Sequence, residues 1–204
     1  MTGTATEKVE PDRVMVIFAV ETMDDTAGDA LRTNSETMNA VLDALEEAGV
    51  SENETQTAYF SIYPSYNYSE FGVPEPSGYI AANSIVVESS NLTNVSDWID
   101  AAVNAGANRV DSLSFTASEE RLAEVRADLT QEAVDNARDK ADALAQALDV
   151  EITGVRAASV SDFSPPISPF SLSFAGGITE SISTPIIPGE QTVAATVEVI
   201  YEIG

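Results

Sequence analysis

The side chains of this chain that could carry chemistry are its carboxylates and its tyrosines. Paired carboxylates can exchange protons with a substrate or bind calcium. Neighbouring acids occur at Asp24-Asp25, Glu46-Glu47, Glu52/Glu54 and Glu119-Glu120. None of these groups has the spacing of a calcium-binding loop, and adjacent acids arise by chance among 34 acidic residues in a chain of 204. We therefore interpret them as solvated surface and predict no catalytic residue, no metal ligand and no cofactor.

Two residue types are missing, and their absence excludes several classes of enzyme. The sequence contains no cysteine and no histidine. Disulfides, thiolate metal sites, cysteine nucleophiles and Ser-His-Asp triads are thereby excluded, and zinc catalysis is strongly disfavoured. An enzyme that uses carboxylates or a tyrosine stays open as an alternative.

The charge balance also limits the partners of this protein. The formal net charge is −25, with nine basic residues, of which only Lys8 and Lys140 are lysines. Such a surface repels phosphate backbones and anionic lipid, so we expect no nucleic-acid partner. The excess of acid over lysine is typical of halophilic proteins, in which counterions screen the self-repulsion.

Other features of the sequence bear on where the protein resides. No window reaches the roughly 18–20 apolar residues of a membrane span, so direct membrane insertion is not expected. Strand-like sequence follows Met1 almost at once, as expected if an upstream leader has been removed. Four N-glycosylation sequons begin at Asn53, Asn67, Asn91 and Asn94, which mildly favours an extracytoplasmic protein.

Aromatic residues are concentrated in one short region. A run with strand-like spacing contains Tyr59, Phe60, Tyr63, Tyr66, Tyr68 and Phe71. One interpretation is core and cross-strand packing in a hairpin. The other is an exposed platform for a partner, because six aromatics within 13 residues exceed what one face of a strand requires. Tyr63, Tyr66, Tyr68 and Phe71 are accordingly candidate interaction residues.

A second candidate region is the irregular segment 162–189, which is rich in proline, phenylalanine and glycine. Loops of this length inside a compact domain are uncommon and tend to be functional or disordered. Its candidate interaction residues are Phe163, Phe170, Leu172 and Phe174. Their apolar character argues against a solvated linker, so we expect the segment either to fold over its own chain or to reach a neighbouring subunit.

The periodicity of the chain predicts the elements that position these side chains. Strands are predicted at 13–21, 56–66, 79–88, 110–116, 155–160 and 192–203, and helices at 26–48, 93–105 and 118–148. The last helix is alanine-rich, and Ala137 and Ala141 lie on an apolar stripe that should be buried. The fold class is α+β, with mostly antiparallel sheets covered by helices. We expect two lobes, 1–77 plus 162–204 and 78–161, with the apolar first and last strands in one sheet.

The order of several short motifs resembles the SIMPL-domain family of bacterial and archaeal envelope proteins, which is related to an animal kinase-associating adaptor. The matching stretches are Val9-Glu10-Pro11-Asp12, the helix Ala30–Val50, Gln56-Thr57, Tyr63–Tyr68, Gly78-Tyr79 with Asn83, Ala105-Gly106-Ala107-Asn108, Ala133–Leu148 and Pro188-Gly189 with Val199–Glu202. One departure is Asp149, where the family usually closes its helix with glycine. The resemblance implies an α+β fold, an extracytoplasmic setting, homo-oligomerisation in some members and a link to oxidative-stress defence. It implies no catalytic residues.

These observations predict an exported, non-enzymatic SIMPL-domain protein. We expect it to form a homo-oligomer and to act as a binding or structural module at the cell envelope, with an unidentified protein as a further partner. The alternatives are the carboxylate- or tyrosine-based enzyme and an intracellular signalling adaptor.

Overall fold

The computed structural model describes residues 1–67, 72, 74–161 and 186–204 and has an α+β fold, as predicted. Its strands are antiparallel and form two sheets, with strand orders β1-β7-β6 and β3-β4-β2-β5. The elements along the chain are β1 Thr2–Val9, β2 Arg13–Asp24, α1 Ala27–Glu47, a 3-10 turn Glu52–Glu54, β3 Thr55–Asn67, β4 Glu75–Ser89, α2 Val95–Asn104, β5 Arg109–Thr116, α3 Glu119–Leu148, β6 Ile152–Ser161 and β7 Gln191–Ile203.

The chain forms two compact units, each with one sheet. The first unit contains Met1–Pro11, the described residues from Thr116 to Ser161, and Gly189–Gly204, and so holds β1, α3, β6 and β7. The second unit contains Asp12–Phe115 and the described residues 186–188, and holds β2, β3, β4, β5, α1 and α2.

The division differs from the lobes expected from sequence, 1–77 plus 162–204 and 78–161. Strand β4 pairs with both β2 and β3, so residues 75–89 belong with the strands that precede them. The apolar strands β2 and β7 were also expected to share a sheet, and they do not. Both strands have the apolar composition of a strand that is covered on its faces. Composition alone does not show which strands pair with each other in one sheet.

In the first unit, the long helix α3 packs on β1 and β7. Ala137 and Ala141 of the apolar stripe are buried as predicted, with exposed fractions of 0% and 5%, whereas Leu144 and Leu148 at its C-terminal end are 47% and 58% exposed. The alanines let the backbones approach so closely that a Cβ added at Gly3 of β1 would lie 1.9 Å from the carbonyl oxygen of Ala133. Small residues on both sides of this contact are therefore a steric requirement.

Helix α3 ends immediately before Asp149, the position at which the sequence departs from the SIMPL pattern. Asp149 follows the last helical residue in the left-handed conformation, with φ 57° and ψ 43°. Its backbone N–H donates to the carbonyls of the last turn. Aspartate tolerates this conformation better than most residues because its short polar side chain can bond locally, so the helix closes here without the glycine.

In the second unit, helices α1 and α2 cover a core of large side chains. Trp98 and Phe18 are fully buried, together with Val14, Val16, Val41 and Val87. Asn34 of α1 is also fully buried, and its side-chain amide donates to the carbonyls of Val20 on β2 and Ala81 on β4 at 2.8 and 2.9 Å. This asparagine thereby joins the helix to two strands.

Candidate interaction site

Strand β3 is an edge strand of the four-stranded sheet. It pairs with β4 along Thr55–Asn67, and in the part of the chain that the structure describes no strand pairs with its other side. Such an edge presents unpaired backbone N–H and C=O groups, which can pair with another chain. The edge of β3 is therefore a template for further strand addition.

The large side chains of β3 are exposed to solvent. The exposed fractions are 58% for Tyr59, 50% for Phe60, 42% for Tyr63 and 43% for Tyr66. An extra residue at the register shift between Thr57 and Tyr59 resets the alternation. Beyond it, Tyr59 and Tyr63 lie on one face and Phe60 on the opposite face, because successive side chains alternate. The four described aromatics Tyr59, Phe60, Tyr63 and Tyr66 therefore lie outside the core and form an exposed surface, while β3 and β4 form the hairpin in which cross-strand packing was expected.

The strand is also free of charge. Its thirteen residues, TQTAYFSIYPSYN, include no acid and no base. Natural proteins usually protect an exposed edge with charged side chains, proline or a bulge. In β3 the protection consists of Pro64 and the register shifts at its two ends. The acidic surface of this protein is therefore interrupted by an uncharged aromatic edge.

The sequence-derived candidate residues are only partly placed by the structure. Tyr63 and Tyr66 lie on this edge, while Tyr68, Phe71, Phe163, Phe170, Leu172 and Phe174 lie outside the described residues. Met23 and Tyr79 extend the apolar surface at one end of the strand, with exposed fractions of 55% and 38%. Sequence reasoning missed these two because Met23 lies beyond the predicted strand 13–21 and Tyr79 begins the predicted strand 79–88, whose apolar pattern indicates burial.

A network of hydrogen bonds joins Glu54, in the 3-10 turn immediately before β3, to Ser89 at the end of β4. The Glu54 carboxylate accepts from the backbone N–H of Ser51 at 2.9 Å. A hydrogen bond from the Ser89 side chain, and then that from Ser51, hold the pKa of Glu54 below its usual value. The charged form of Glu54 therefore stabilises the start of the exposed edge.

A second group of exposed apolar side chains occurs in the first unit. Val155 and Val160 of β6 are 59% and 52% exposed, and Leu144 and Leu148 of α3 are 47% and 58% exposed. Strand β6 is itself an edge, next to β7. It carries one charge, that of Arg156. The edge of β6 is therefore the alternative location for an interface between chains.

The described residues do not gather the acids into a metal site. Within 1–67, 72, 74–161 and 186–204, no group of three or more acidic side chains is placed to hold a metal ion. Among the same residues, no helix combines the length and the apolar composition required to cross a membrane.

Comparison with known proteins agrees with the motifs quoted above. The family model SIMPL, described as "Protein of unknown function (DUF541)", matches residues 1–201. The chain belongs to the SIMPL family. It is 29% identical over 214 positions to the 26 kDa periplasmic immunogenic protein of Brucella melitensis biotype 1, covering all of this chain and 83% of that protein. The protein of the same name from Brucella abortus (strain S19) matches with the same identity and coverage.

Membership of the SIMPL family confirms the resemblance read from the motifs. Several of those motifs now have structural roles: the Ala-Gly-Ala-Asn turn places Asn108, whose side chain bonds the backbone of Glu21 on β2 at 2.7 and 2.9 Å. Gly106 of the same turn has φ 117°, which a glycine adopts without strain. The described part of the tyrosine-rich motif, Tyr63–Asn67, forms the C-terminal end of the edge strand β3.

Proposed function

We propose that this SIMPL-family chain is an exported, non-enzymatic protein that self-associates through strand β3 and acts as a binding or structural module at the cell envelope, with a role in stress defence. The periplasmic location in the names of the two Brucella relatives supports export over an intracellular adaptor role. The absence of histidine and cysteine from the sequence supports a non-enzymatic role.

The observation that carries self-association is the exposed, uncharged edge of β3. Two copies of this chain each have a net charge of −25, so they repel wherever their acids meet. A contact between copies is favourable only where acids are missing and apolar surface is available. Strand β3 meets both conditions, since it has no charged residue and exposes Tyr59, Phe60 and Tyr63.

The length of β3 suits an interface of ordinary size. Thirteen residues at about 3.4 Å each span about 44 Å. A standard interface buries roughly 800 Å² on each partner, which a strip of this length supplies with a width of about 18 Å. The side chains on the two faces of a strand give it a thickness of about 10 Å, the spacing of packed sheets, and so about 440 Å² of this area; side chains that flank the strand must contribute the rest. The occupant we propose is β3 of a second copy.

Light scattering of charged variants tests this interface. Tyr63→Lys places a charge at the centre of the edge and should lower the molar mass toward that of one chain in about 1 M KCl, where the Debye length is about 3 Å. Ser35→Lys adds the same charge on the exposed surface of α1 and should leave the mass unchanged. Val155→Lys makes the matching change on the competing edge β6.

The three variants separate the outcomes. A lower mass for Val155→Lys with an unchanged mass for Tyr63→Lys would move the interface to β6 and contradict the proposal. A parent protein that is monomeric in both low and high salt would contradict self-association altogether. Far-ultraviolet circular dichroism of each variant establishes that the fold is retained.

A further inference from the structure

The four sequons differ in how the structure presents them. Asn53, Asn91 and Asn94 have complete tripeptides within the described residues, whereas the Ser69 of the Asn67 sequon lies outside them. A transferase must accommodate the tripeptide Asn-X-Ser/Thr, so an acceptor inside a regular element is a poor substrate once the chain has folded. The three complete sequons can be compared on this basis.

Two of these sequons are held in regular structure. Asn53 lies within the 3-10 turn, and its Thr55 begins β3 with the hydroxyl donating to the carbonyls of Ser51 and Glu52. Asn94 is the N-cap of α2 and is half-buried, and the next residue, Val95, is 1% exposed. Neither tripeptide can leave its place without unfolding an element or exposing core.

The third sequon, Asn91-Leu92-Thr93, lies outside every helix and strand, between β4 and α2. Asn91 and Thr93 are both exposed. The Thr93 hydroxyl donates to the Asn91 side-chain oxygen at 2.8 Å, and the Thr93 backbone N–H donates to the same oxygen at 3.2 Å. Within the described residues, the side-chain nitrogen of Asn91 donates no hydrogen bond.

We propose that Asn91 is a site of N-linked glycosylation by a lipid-linked sugar phosphate or diphosphate. The Nδ2 nitrogen of Asn91 forms a bond to the anomeric carbon as the bond from that carbon to the phosphate oxygen breaks. The lipid phosphate leaves with the electron pair, and one amide proton passes to a base of the transferase. No atom changes oxidation state, because the sugar carbon exchanges one bond to oxygen for one bond to nitrogen.

The modified side chain keeps its local contacts. Glycosylation replaces one hydrogen on Nδ2 and leaves Oδ1 as a carbonyl oxygen, so both hydrogen bonds from Thr93 are retained. The glycan projects from an exposed loop and displaces no buried side chain. The Asn91 sequon is thus the described acceptor whose modification costs the folded chain least. This inference rests on the proposed export, because the sugar donor and its transferase act outside the cytoplasm.

The test is mass spectrometry of the full chain isolated from its source organism. The intact mass should exceed that of the polypeptide, and the proteolytic peptide containing Asn91 should release sugar fragment ions. Thr93→Val, which removes only the hydroxyl from the sequon, should abolish the added mass on that peptide, whereas Thr93→Ser should retain it. Asn53→Gln and Asn94→Gln should leave the Asn91 glycopeptide unchanged.

Cell fractionation distinguishes failure of this inference from failure of the proposed function. An unmodified Asn91 peptide on protein recovered outside the cytoplasm overturns the glycosylation and leaves export standing. An unmodified peptide on protein recovered only from the cytoplasm overturns both. Sugar on Asn53 or Asn94 with none on Asn91 also overturns the inference, because exposure in a loop would then not determine which asparagine is modified.

Discussion

The two edges of the four-stranded sheet are built in opposite ways. Strand β3 has thirteen uncharged residues and exposes four aromatic side chains. Strand β5, at the other edge, has eight residues and begins with Arg109, which pairs with Glu21 at 3.0 Å and with Asp111 at 2.8 Å. Its large apolar residues Val110 and Leu113 are 7% and 3% exposed.

This difference indicates which edge is available to a partner. A short strand with charges and inward-facing apolar side chains is a typical protected edge, and β5 has each of these features. A long strand with exposed aromatics lacks them, and β3 is of this kind. Because both edges belong to one sheet in one unit, a general tolerance of the fold for exposed edges does not explain β3.

The largest expected effect comes from Gly78, which lies opposite Ser65 of β3 and shapes the distal half of that edge. Its φ is 136°, and an added Cβ would lie 2.7 Å from the carbonyl oxygen of Asp24. Gly78→Ala combines backbone strain with a clash against backbone and should lower the free energy of unfolding by about 2–3 kcal/mol. Hydrogen exchange should show faster exchange in β3 with little change in β5.

Gly49→Ala is the matched control for this prediction. Gly49 has φ 93° with nothing within 4 Å of an added Cβ, so the substitution introduces strain alone and should cost about 1 kcal/mol. Equal losses for the two variants would mean that the contact with Asp24 does not hold the distal half of β3 in place.

Salt should act on the two edges in opposite directions. Raising KCl from about 0.1 M to about 2 M shortens the Debye length from about 10 Å to less than 3 Å. The repulsion between chains of charge −25 is then screened, so association through β3 should strengthen, while the exposed ion pairs of β5 should weaken. Relief of self-repulsion should raise the melting temperature by about 4–8 °C, which corresponds to about 2 kcal/mol for a chain of this size.

Light scattering and calorimetry in KCl measure both parts of this prediction. Sulfate is avoided because it strengthens hydrophobic burial by itself. A melting temperature that is flat or falls across this range would contradict the interpretation of the acidic surface as an adaptation to salt.

The sequence predicted most of the elements but not all of their partners. Periodic apolar residues located α1, α2, α3 and the strands β2 to β7 to within a few residues. Strand-like sequence was visible soon after Met1, but no bounds were predicted for β1 because only Gly3 and Val9 of its eight residues are buried. Gly3 allows the close contact with Ala133 of α3, but a glycine contributes nothing to the hydrophobic periodicity from which strands are predicted. The pairing of β4 with β2 and β3 was likewise not encoded in any one strand, since it depends on which faces the helices cover.

The candidate site was predictable in composition but not in exposure. The aromatic run was visible in the sequence, and both a buried and an exposed arrangement were consistent with it. The decision depends on β3 lying at the edge of the sheet, where none of its residues is buried. That position is a property of the strand order and not of the residues in the run.

A smaller effect is expected when the ion pairs of β5 are removed. Arg109→Ala combined with Asp111→Ala keeps the net charge and should lower the free energy of unfolding by about 1 kcal/mol, because exposed ion pairs contribute little. The loss should shrink as KCl is added. We expect the molar mass to stay that of the parent, because β5 still exposes no large apolar side chain.

An increase in the molar mass of the Arg109→Ala/Asp111→Ala variant would change the comparison between the β3 and β5 edges. Loss of charge alone would then be enough to open an edge, and the aromatic side chains of β3 would no longer be needed to explain its role. The variant Tyr59→Ser, which removes an exposed aromatic from β3 without adding charge, makes the reciprocal change and should weaken association.

The smallest expected effect concerns Glu54, which holds the 3-10 turn immediately before β3. The hydrogen bond from Ser89, followed by that from the backbone of Ser51, lowers the folded-state pKa of Glu54 below its ordinary value of 4.5. A lowered folded-state pKa means that the stabilisation is present above pH 4.5 and is lost as pH falls through the folded-state pKa. Glu54→Gln should therefore lower the free energy of unfolding at pH 7 by about 0.5 kcal/mol, a small value because the group is partly exposed.

Urea unfolding across the acidic range measures this effect against Glu52→Gln, an exposed neighbour with the same change in charge. The difference between parent and Glu54→Gln should decrease as pH falls below 4.5, because the parent carboxyl then also becomes neutral. The Glu52→Gln difference should follow only the general relief of acidic repulsion. If the two variants behave alike at every pH, the carboxylate of Glu54 does not hold the 3-10 turn before β3, and the hydroxyl of Ser89 is bonded elsewhere. The molar mass should be the same for both variants, because neither substitution lies on the aromatic edge that we propose as the interface.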